Sequence, residues 1–477
     1  MAVDHTRKKE RLHFIGICGK AMGGIATALQ REGWAITGSD ESPYPPMSDY
    51  LRDCGIEISL PEGETSVPAN IAMAIVGKRT TEANPDLQYV LENQIPFRSF
   101  PQLLHERFLR HSRNIVVTGA LGKTTTTAML AWILEHAGTK PDYLIGGFAR
   151  NFSAPARFAQ SALAVLEGDE YASCFNDPKP KFLYYRPEVA VITNILEDHP
   201  DLYGGFEAVR NAFSALMETL PTKGCLIVPE RDPTAVQLAD SAQCKVLIVG
   251  TGESATMRIH DLTLHKDRSC FQLKQCQFEV PVCGEMNVID AAFAAVAALQ
   301  VGIDLEESAK ALRLFRGVAN RQEEKKVGRY TFVTDKASHP YALGELARAL
   351  RQRFPGQRLV SVMQPRATGG RSWIYQSELP SALSNFDKII LTHPYEHNPP
   401  PETLWRNDPF QLDLLVSDLT SLGADLTVAA TIEDLPETIA GELKNGDVIV
   451  LTLPEQYSHF VATIEEALEK SLEQANI

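Results

Sequence analysis

The chain reads as an α/β protein assembled from doubly wound, mostly parallel sheets. Short apolar runs alternate with helix-forming stretches along nearly all of its 477 residues. Several of those runs end in glycine-rich turns or in acids, where open α/β sheets take their ligands. The length suits about three domains on a prior of ~150 residues each, and each is large enough to bury its own core.

The first βαβ unit starts at once. Leu12 to Ile17 is expected to be a buried strand, running into Gly16-Ile17-Cys18-Gly19-Lys20-Ala21-Met22-Gly23-Gly24. A helix over Ile25 to Glu32, then Gly33, lead to a strand at Ala35 to Gly38 that ends in Ser39-Asp40. The pattern is that of a dinucleotide-type fingerprint, with Cys18 in place of one glycine step and an acid closing the second strand. The plainer reading is a turn that binds nothing. A dehydrogenase is disfavoured because nothing downstream offers a hydride-transfer site. The apolar run Ile71 to Gly77 and a helix-and-linker stretch from Pro101 to Ser112 complete a first domain, residues 1–112.

The second domain, 113–315, opens on the most informative segment. An apolar strand (Asn114 to Thr118) enters Gly119-Ala120-Leu121-Gly122-Lys123-Thr124-Thr125, and a helix is expected over Ala128 to Ala137. A strand, a glycine turn and a helix N-terminus aim backbone N–H groups and a positive dipole end at one point. Lys123 adds a charge for β/γ-phosphates, and the Thr124 hydroxyl suits Mg²⁺. The spacing Gly-x-x-Gly-Lys-Thr is two residues shorter than the general P-loop. An ordinary strand–turn–helix would leave Lys123 where the helix dipole disfavours a cation.

Further strands are expected at Ala162 to Leu166, Val189 to Thr193 and Cys225 to Val228. The first ends in Glu167-Gly168-Asp169-Glu170, the second in Asn194 through His199. If both ends lie beside the P-loop, carboxylate and imidazole converge on a phosphate-bound Mg²⁺, for which oxygen ligands are the usual choice. A β-rich insertion (Lys245 to Val282) alternates apolar and polar residues, and the helix Val288 to Gln300 is apolar enough to be buried. The third domain, 316–477, alternates strand and helix again: Tyr330 to Thr334, Tyr341 to Arg353, Arg358 to Met363, Lys388 to Thr392 and Asp447 to Leu451.

Composition narrows the function. A net charge of −14 argues against nucleic-acid or membrane-surface partners, while a local cleft can still hold an anion. The eight cysteines lack C-x-x-C spacing and read as reduced thiols. No signal peptide or ~20-residue apolar span is visible, so a cytoplasmic protein, monomeric or homodimeric, is expected.

These blocks resemble the Mur ligase family. The P-loop is similar to that family's Gly-Thr-x-Gly-Lys-Thr-Thr segment. Glu167 to Tyr171 is similar to its Glu-x-Asp-Glu block, and Asn194 to His199 to its Asn-x-x-x-Asp-His block. Gly284-Glu285-Met286-Asn287, the hinge Phe315-Arg316-Gly317-Val318 with Arg321 and Glu323, and Asp335 to Pro340 follow in the family's order. The resemblance implies a three-domain Mur ligase architecture: a Rossmann-like N-terminal domain, a P-loop central domain and a Rossmann-like C-terminal domain.

It also implies ATP and Mg²⁺, and amide ligation through an acyl phosphate. UDP-N-acetylmuramate is the implied carboxylate and a peptide or amino acid the amine, the nearest branch being the one that acylates the tripeptide L-Ala-γ-D-Glu-meso-diaminopimelate. The modified Lys of several sister enzymes is replaced at or near Phe213, which fits a muramate-acylating branch. By the same resemblance, Gly119, Gly122, Lys123, Thr124, Thr125, Asn287, Arg321 and Asp335 bind ATP. Thr124, Glu170 and His199 hold the metal. Gly16, Cys18, Gly19, Met22, Gly23, Ser39 and Asp40 take the UDP substrate, and His339 is the expected general base. Leu121, Met286, Asn320, Ser338 and the segment Arg366 to Arg371 depart from the family pattern. These departures motivate two rivals: a ligase for L-alanine or another carboxylate, and a non-catalytic nucleotide-binding relative.

Overall fold

The computed structural model describes residues 10–61, 63–196, 205–365, 375–393, 410–454, 462–464 and 466–467. The chain divides into two compact units. One comprises Met1–Ile195, Val209–Ile259 and Asp290–Arg316; the other comprises Leu196–Ala208, His260–Ile289 and Gly317–Ile477.

The first unit holds two sheets. Strands β1 (Arg11–Ile15), β2 (Ala35–Ser39), β3 (Ile58–Ser59), β4 (Met73–Val76) and β5 (Phe97–Ser99) form a parallel sheet in the order β3-β2-β1-β4-β5. That is the doubly wound order expected of a Rossmann-like half. Its core joins Ile15, Ala74, Val76, Leu87 and Val90, all buried. The first helix spans Lys20–Arg31 and so starts five residues before the expected Ile25. Gly23 and Gly24 look like turn residues in the sequence, but they are helical. A Cβ on Gly23 would strike Met47 and the Ile17 carbonyl, and one on Gly24 would lie 3.1 Å from Ala156 Cβ. They are glycines for close packing.

The second sheet contains β6 (Arg113–Thr118), β7 (Asp142–Leu144), β8 (Ala156–Arg157) and β9 (Leu163–Glu167). A separate hairpin pairs β10 (Ala172–Cys174) with β11 (Asp177–Pro180). The sheet continues with β12 (Val189–Ile192), β13 (Cys225–Pro229), β14 (Lys245–Gly250) and the start of β15 (Met257–Leu264). The order is β15-β14-β13-β12-β6-β9-β7-β8. The expected boundary at 112/113 falls inside this unit because the two sheets share packing. Tyr50 meets Phe148 edge-on at 5.4 Å, and helix Lys20–Arg31 lies against β8. Helix Lys123–His136 begins five residues before the expected Ala128. Its first turns are a run of threonines, poor helix formers by sequence, and Thr127 Oγ1 bonds back to the Lys123 carbonyl at 2.7 Å.

In the second unit, β16 (Ser269–Leu273) and β17 (Cys276–Val280) form a hairpin with Phe271 stacked on Phe278. Strands β18 (Glu323–Val327), β19 (Tyr330–Thr334), β20 (Leu359–Met363), β21 (Lys388–Thr392), β22 (Leu426–Ala429) and β23 (Val448–Thr452) make a sheet ordered β18-β19-β23-β20-β21-β22. It is parallel except for the edge strand β18. Its core joins Phe332, Val360, Val362, Ile390, Ile449 and Leu451. Among the described residues, no helix is long and apolar enough to cross a membrane.

Candidate active site

Strand β6 lies between β9 and β12, parallel to both, so three carboxyl ends open side by side. Two glycines shape the loop after β6. Gly119 has φ +126° and Gly122 has φ +81°. A Cβ would collide with Thr193 and Asn194 at the first, and with the Asp290 carboxylate at the second. Between them, the amides of Ala120 and Leu121 both donate to Asn194 Oδ1 at 2.9 Å, and Asn194 Nδ2 donates to the Leu121 carbonyl at 2.9 Å. Thr193 Oγ1 donates to that carbonyl as well, at 2.5 Å. The neighbouring strand end therefore clamps the loop. This narrows the expected anion seat, because two loop amides already face Asn194. The seat falls to the first turn of helix Lys123–His136, including Thr124 and Thr125, where N–H groups lack partners within a helix.

Lys123 folds back over this loop. Its Nζ donates to the Gly119 carbonyl and stands 3.3 Å from Glu170 Oε2. Lys123 is 9% exposed and Glu170 3%, so the pair compensates part of the cost of burying both charges. Thr124 Oγ1 donates to Glu167 Oε1 at 3.0 Å, and the Gly146 amide donates to Glu167 Oε2 at 2.7 Å. Burial, and then the charge of Asp169, push the Glu167 carboxyl above its usual range. Burial acts on Asp169 too, but Lys181 at 3.0 Å and then Lys123 outweigh it and hold that carboxyl below the usual range.

Thr124, Glu167 and Glu170 are hard oxygen donors of the kind Mg²⁺ takes. Among the described residues, no three His, Cys, Asp or Glu side chains form a metal cage. The set therefore fits an ion that arrives with a triphosphate and completes its shell with phosphate oxygens and water. Thr124 and Glu170, both expected as ligands, are engaged here with different partners. His199, the third, lies outside the described residues, as do Glu197, Asp198 and the segment Arg366 to Arg371.

The first glycine loop is a closed turn. Gly16 has φ +79°, and the amides of Gly16 and Ile17 donate to the Ser39 carbonyl at 2.8 and 3.0 Å. Asp40 Oδ2 accepts from the Cys18 amide at 2.9 Å and Asp40 Oδ1 from Ser42 at 3.1 Å. Burial and then Asp40 push the Cys18 thiol up to about 12, so it stays protonated. Gly16, Cys18, Gly19, Ser39 and Asp40 thus share one turn. Met22 is buried in the first turn of the following helix, and Gly23 faces Met47.

The remaining expected residues belong to the second unit. Asn287 Nδ2 donates to the Cys283 carbonyl at 2.7 Å. Asp335 Oδ2 accepts from the Gln322 amide and Oδ1 from Ala337, each at 2.8 Å, which ties the hinge segment carrying exposed Arg321 to the end of β19. His339 is the N-cap of helix Pro340–Arg353, its Nδ1 accepting from the Tyr341 amide at 3.1 Å. That bond leaves the ring proton on Nε2, so in this tautomer the expected base has no acceptor nitrogen to spare.

Asn194 and Asp290 also shape the loop after β6, although the sequence marks neither as a site residue. Asn194 is the first polar side chain beyond β12 able to reach a loop amide. Asp290 is an acid, 3% exposed, in helix Glu285–Gln300, where the stretch 288–299 is otherwise apolar. An acid inside that apolar stretch is the signal the sequence offers.

The Mur ligase family catalytic-domain signature matches residues 11–111 and the Mur ligase middle-domain signature residues 117–298. The UDP-N-acetylmuramate–L-alanyl-γ-D-glutamyl-meso-2,6-diaminoheptandioate ligase of Haemophilus influenzae is 34% identical over 389 residues, 81% of this chain and 86% of that one. The UDP-N-acetylmuramate–L-alanine ligase of Halorhodospira halophila is 31% identical over 454 residues, 93% of this chain and 90% of that one. A crystal structure of a murein peptide ligase from Psychrobacter arcticus superposes with a TM-score of 0.71 at 25% identity, covering 97% of this chain and 98% of that one.

Proposed function

The chain belongs to the Mur ligase family, ATP-dependent enzymes that form C–N bonds, and on that premise we propose that it joins the amine of L-alanyl-γ-D-glutamyl-meso-diaminopimelate to the carboxylate of UDP-N-acetylmuramate, in peptidoglycan recycling in the cytoplasm. The observation that carries this reading is the buried Lys123–Glu170 pair where three strand ends meet.

A carboxylate oxygen of the sugar attacks the γ-phosphorus of ATP, ADP leaves, and an acyl phosphate forms. The peptide amine then adds to the acyl carbon and loses a proton, and inorganic phosphate departs with the former carboxylate oxygen. Such transfer depends mainly on positioning and on neutralising charge. Lys123 exchanges Glu170 for the β/γ-phosphates, with the first helical turn from Lys123 to Thr125 beneath them. Glu170, Thr124 and His199 would then hold Mg²⁺, which supplies further neutralisation of the phosphates. Asn194 keeps the loop shaped for this. We assign Asn287, Arg321 and Asp335 to the nucleotide and the Gly16-to-Asp40 turn to the UDP moiety, with the work divided among segments 1–112, 113–315 and 316–477.

The departures from the family pattern do not favour a relaxed, non-catalytic relative. Every Leu121 contact in the clamp is made by its backbone, so a leucine side chain leaves the clamp intact. Asn320 sits at φ +57°, a conformation asparagine tolerates better than most residues. The similarity to an L-alanine ligase over 93% of the chain supports one second reading, with free L-alanine as acceptor. ADP release measured with UDP-N-acetylmuramate and either amine decides. Turnover that requires both the sugar nucleotide and the tripeptide is expected. Product with L-alanine alone selects the second reading, and ADP release independent of both substrates contradicts each.

A further inference from the structure

Strand order reverses between β1 and β4, since β2 and β3 lie on one side of β1 and β4 and β5 on the other. Crevices at the carboxyl ends of such switch points are where open α/β sheets bind ligands. The chain turns sharply after β4: the Thr80 amide donates to the Gly77 carbonyl at 3.2 Å, which puts Lys78 and Arg79 at the tip of a β-turn. That turn abuts the first glycine loop. A Cβ on Gly16 would lie 3.8 Å from Thr80 Oγ1 and 3.9 Å from Gly77 Cα.

Lys78 reaches from this tip to the loop that follows β9. Its Nζ lies 3.6 Å from the centroid of the Tyr171 ring. Tyr171 directly follows Glu170, the acid paired with Lys123. Lys181 Nζ stands 4.4 Å from the same ring and is paired with Asp169 at 3.0 Å. An acidic protein thus gathers two ammonium groups around one aromatic ring, between the UDP turn and the phosphate-handling lysine.

We propose that Lys78 binds the lactoyl carboxylate of UDP-N-acetylmuramate, with Tyr171 as the positioning residue that holds the ammonium towards the phosphoryl donor. This assignment rests on the ligase reading. Lys78 is directed at Tyr171, whose neighbour in sequence, Glu170, pairs with Lys123, and this suits the acid end of the substrate rather than its diphosphate. An ammonium pairs with a carboxylate as a point charge and leaves either oxygen able to attack. Attraction to the ring face helps to orient this long side chain.

The test is calorimetric titration of the full-length protein with UDP-N-acetylmuramate and with UDP-N-acetylglucosamine, which lacks the lactoyl carboxylate. Lys78→Met is expected to weaken muramate binding about 10- to 100-fold and to leave glucosamine binding unchanged, with partial recovery in Lys78→Arg. Tyr171→Leu is expected to lower the same preference about 3- to 10-fold, and Tyr171→Phe, which keeps the ring, to retain it. Equal weakening of both ligands, or no change in either, overturns the assignment. A wild-type protein that binds neither sugar nucleotide overturns the ligase reading itself, and the assignment with it.

Discussion

Lys123 is held by the Gly119 carbonyl and the Glu170 carboxylate, two acceptors that a triphosphate would replace on the proposed reading. Lys123→Ala is therefore expected to lower kcat by about 10²–10³ or more. It is also expected to cost about 3 kcal/mol of stability, because Glu170 stays buried without its ammonium. Adding Glu170→Gln should recover much of the stability in urea unfolding and none of the turnover. Asn194→Ala leaves the Ala120 and Leu121 amides without an acceptor, at a cost of about 1–3 kcal/mol. Steady-state kinetics should show a raised KM for ATP. The meeting of Lys123, Thr124 and Glu170 was legible in the sequence because a glycine loop before a helix and an acid at a strand end each leave a local pattern. The contacts that Asn194 and Asp290 make with the loop were not, since both residues are distant from it in sequence. The cap made by His339 was equally hidden: a histidine before a proline looks the same whether it caps a helix or takes a proton.

At the level of the elements, the P-loop is shaped as much by its neighbours as by its glycines. Gly122→Ala would place a Cβ against Asp290 and force alanine into the left-handed region, a conformational cost of about 1–2 kcal/mol. Asp290→Ala removes the contact but not the backbone strain. A double-mutant cycle by chemical unfolding should thus show partial, non-additive relief. The N-terminal sheet carries its own buried device in Asp86, which accepts from the Ser66 amide at 2.6 Å and Ser66 Oγ at 2.8 Å, with His13 Nε2 at 3.6 Å. Burial alone would raise this carboxyl, but interactions with His13, Ser39 and Ser66 outweigh it and hold the pKa below the usual range. Its folded pKa lies below the unfolded value of about 3.9, so the stabilisation is complete above that pH and is lost as pH falls further. Asp86→Asn should therefore destabilise at pH 6, with the difference from wild type shrinking below about pH 4 in urea titrations. Strand β18 is hard to read in the sequence because Glu323-Glu324-Lys325-Lys326 is an edge strand without apolar alternation, its lysines exposed and Glu324 paired with Arg353. The long apolar strands were plain for the opposite reason, being buried on both faces.

For the molecule as a whole, alternating strands and helices made the α/β class evident, and the order of the family blocks pointed to the ligase. Segments 1–112 and 113–315 both contribute to one packed unit, in which helix Lys20–Arg31 and β8 meet through small residues that look like a loop in the sequence. The end of that body at Arg316 is pinned by Asn151, which accepts from the Arg316 amide at 2.8 Å and donates to the Leu314 carbonyl at 3.0 Å. In the proposed reaction ATP activates a carboxylate by phosphorylating it. Mass spectrometry of the phosphate released from UDP-N-acetylmuramate labelled with ¹⁸O in its lactoyl carboxylate tests this most directly. One ¹⁸O is expected in each phosphate formed with the tripeptide; unlabelled phosphate accompanying labelled amide product would contradict carboxylate phosphorylation.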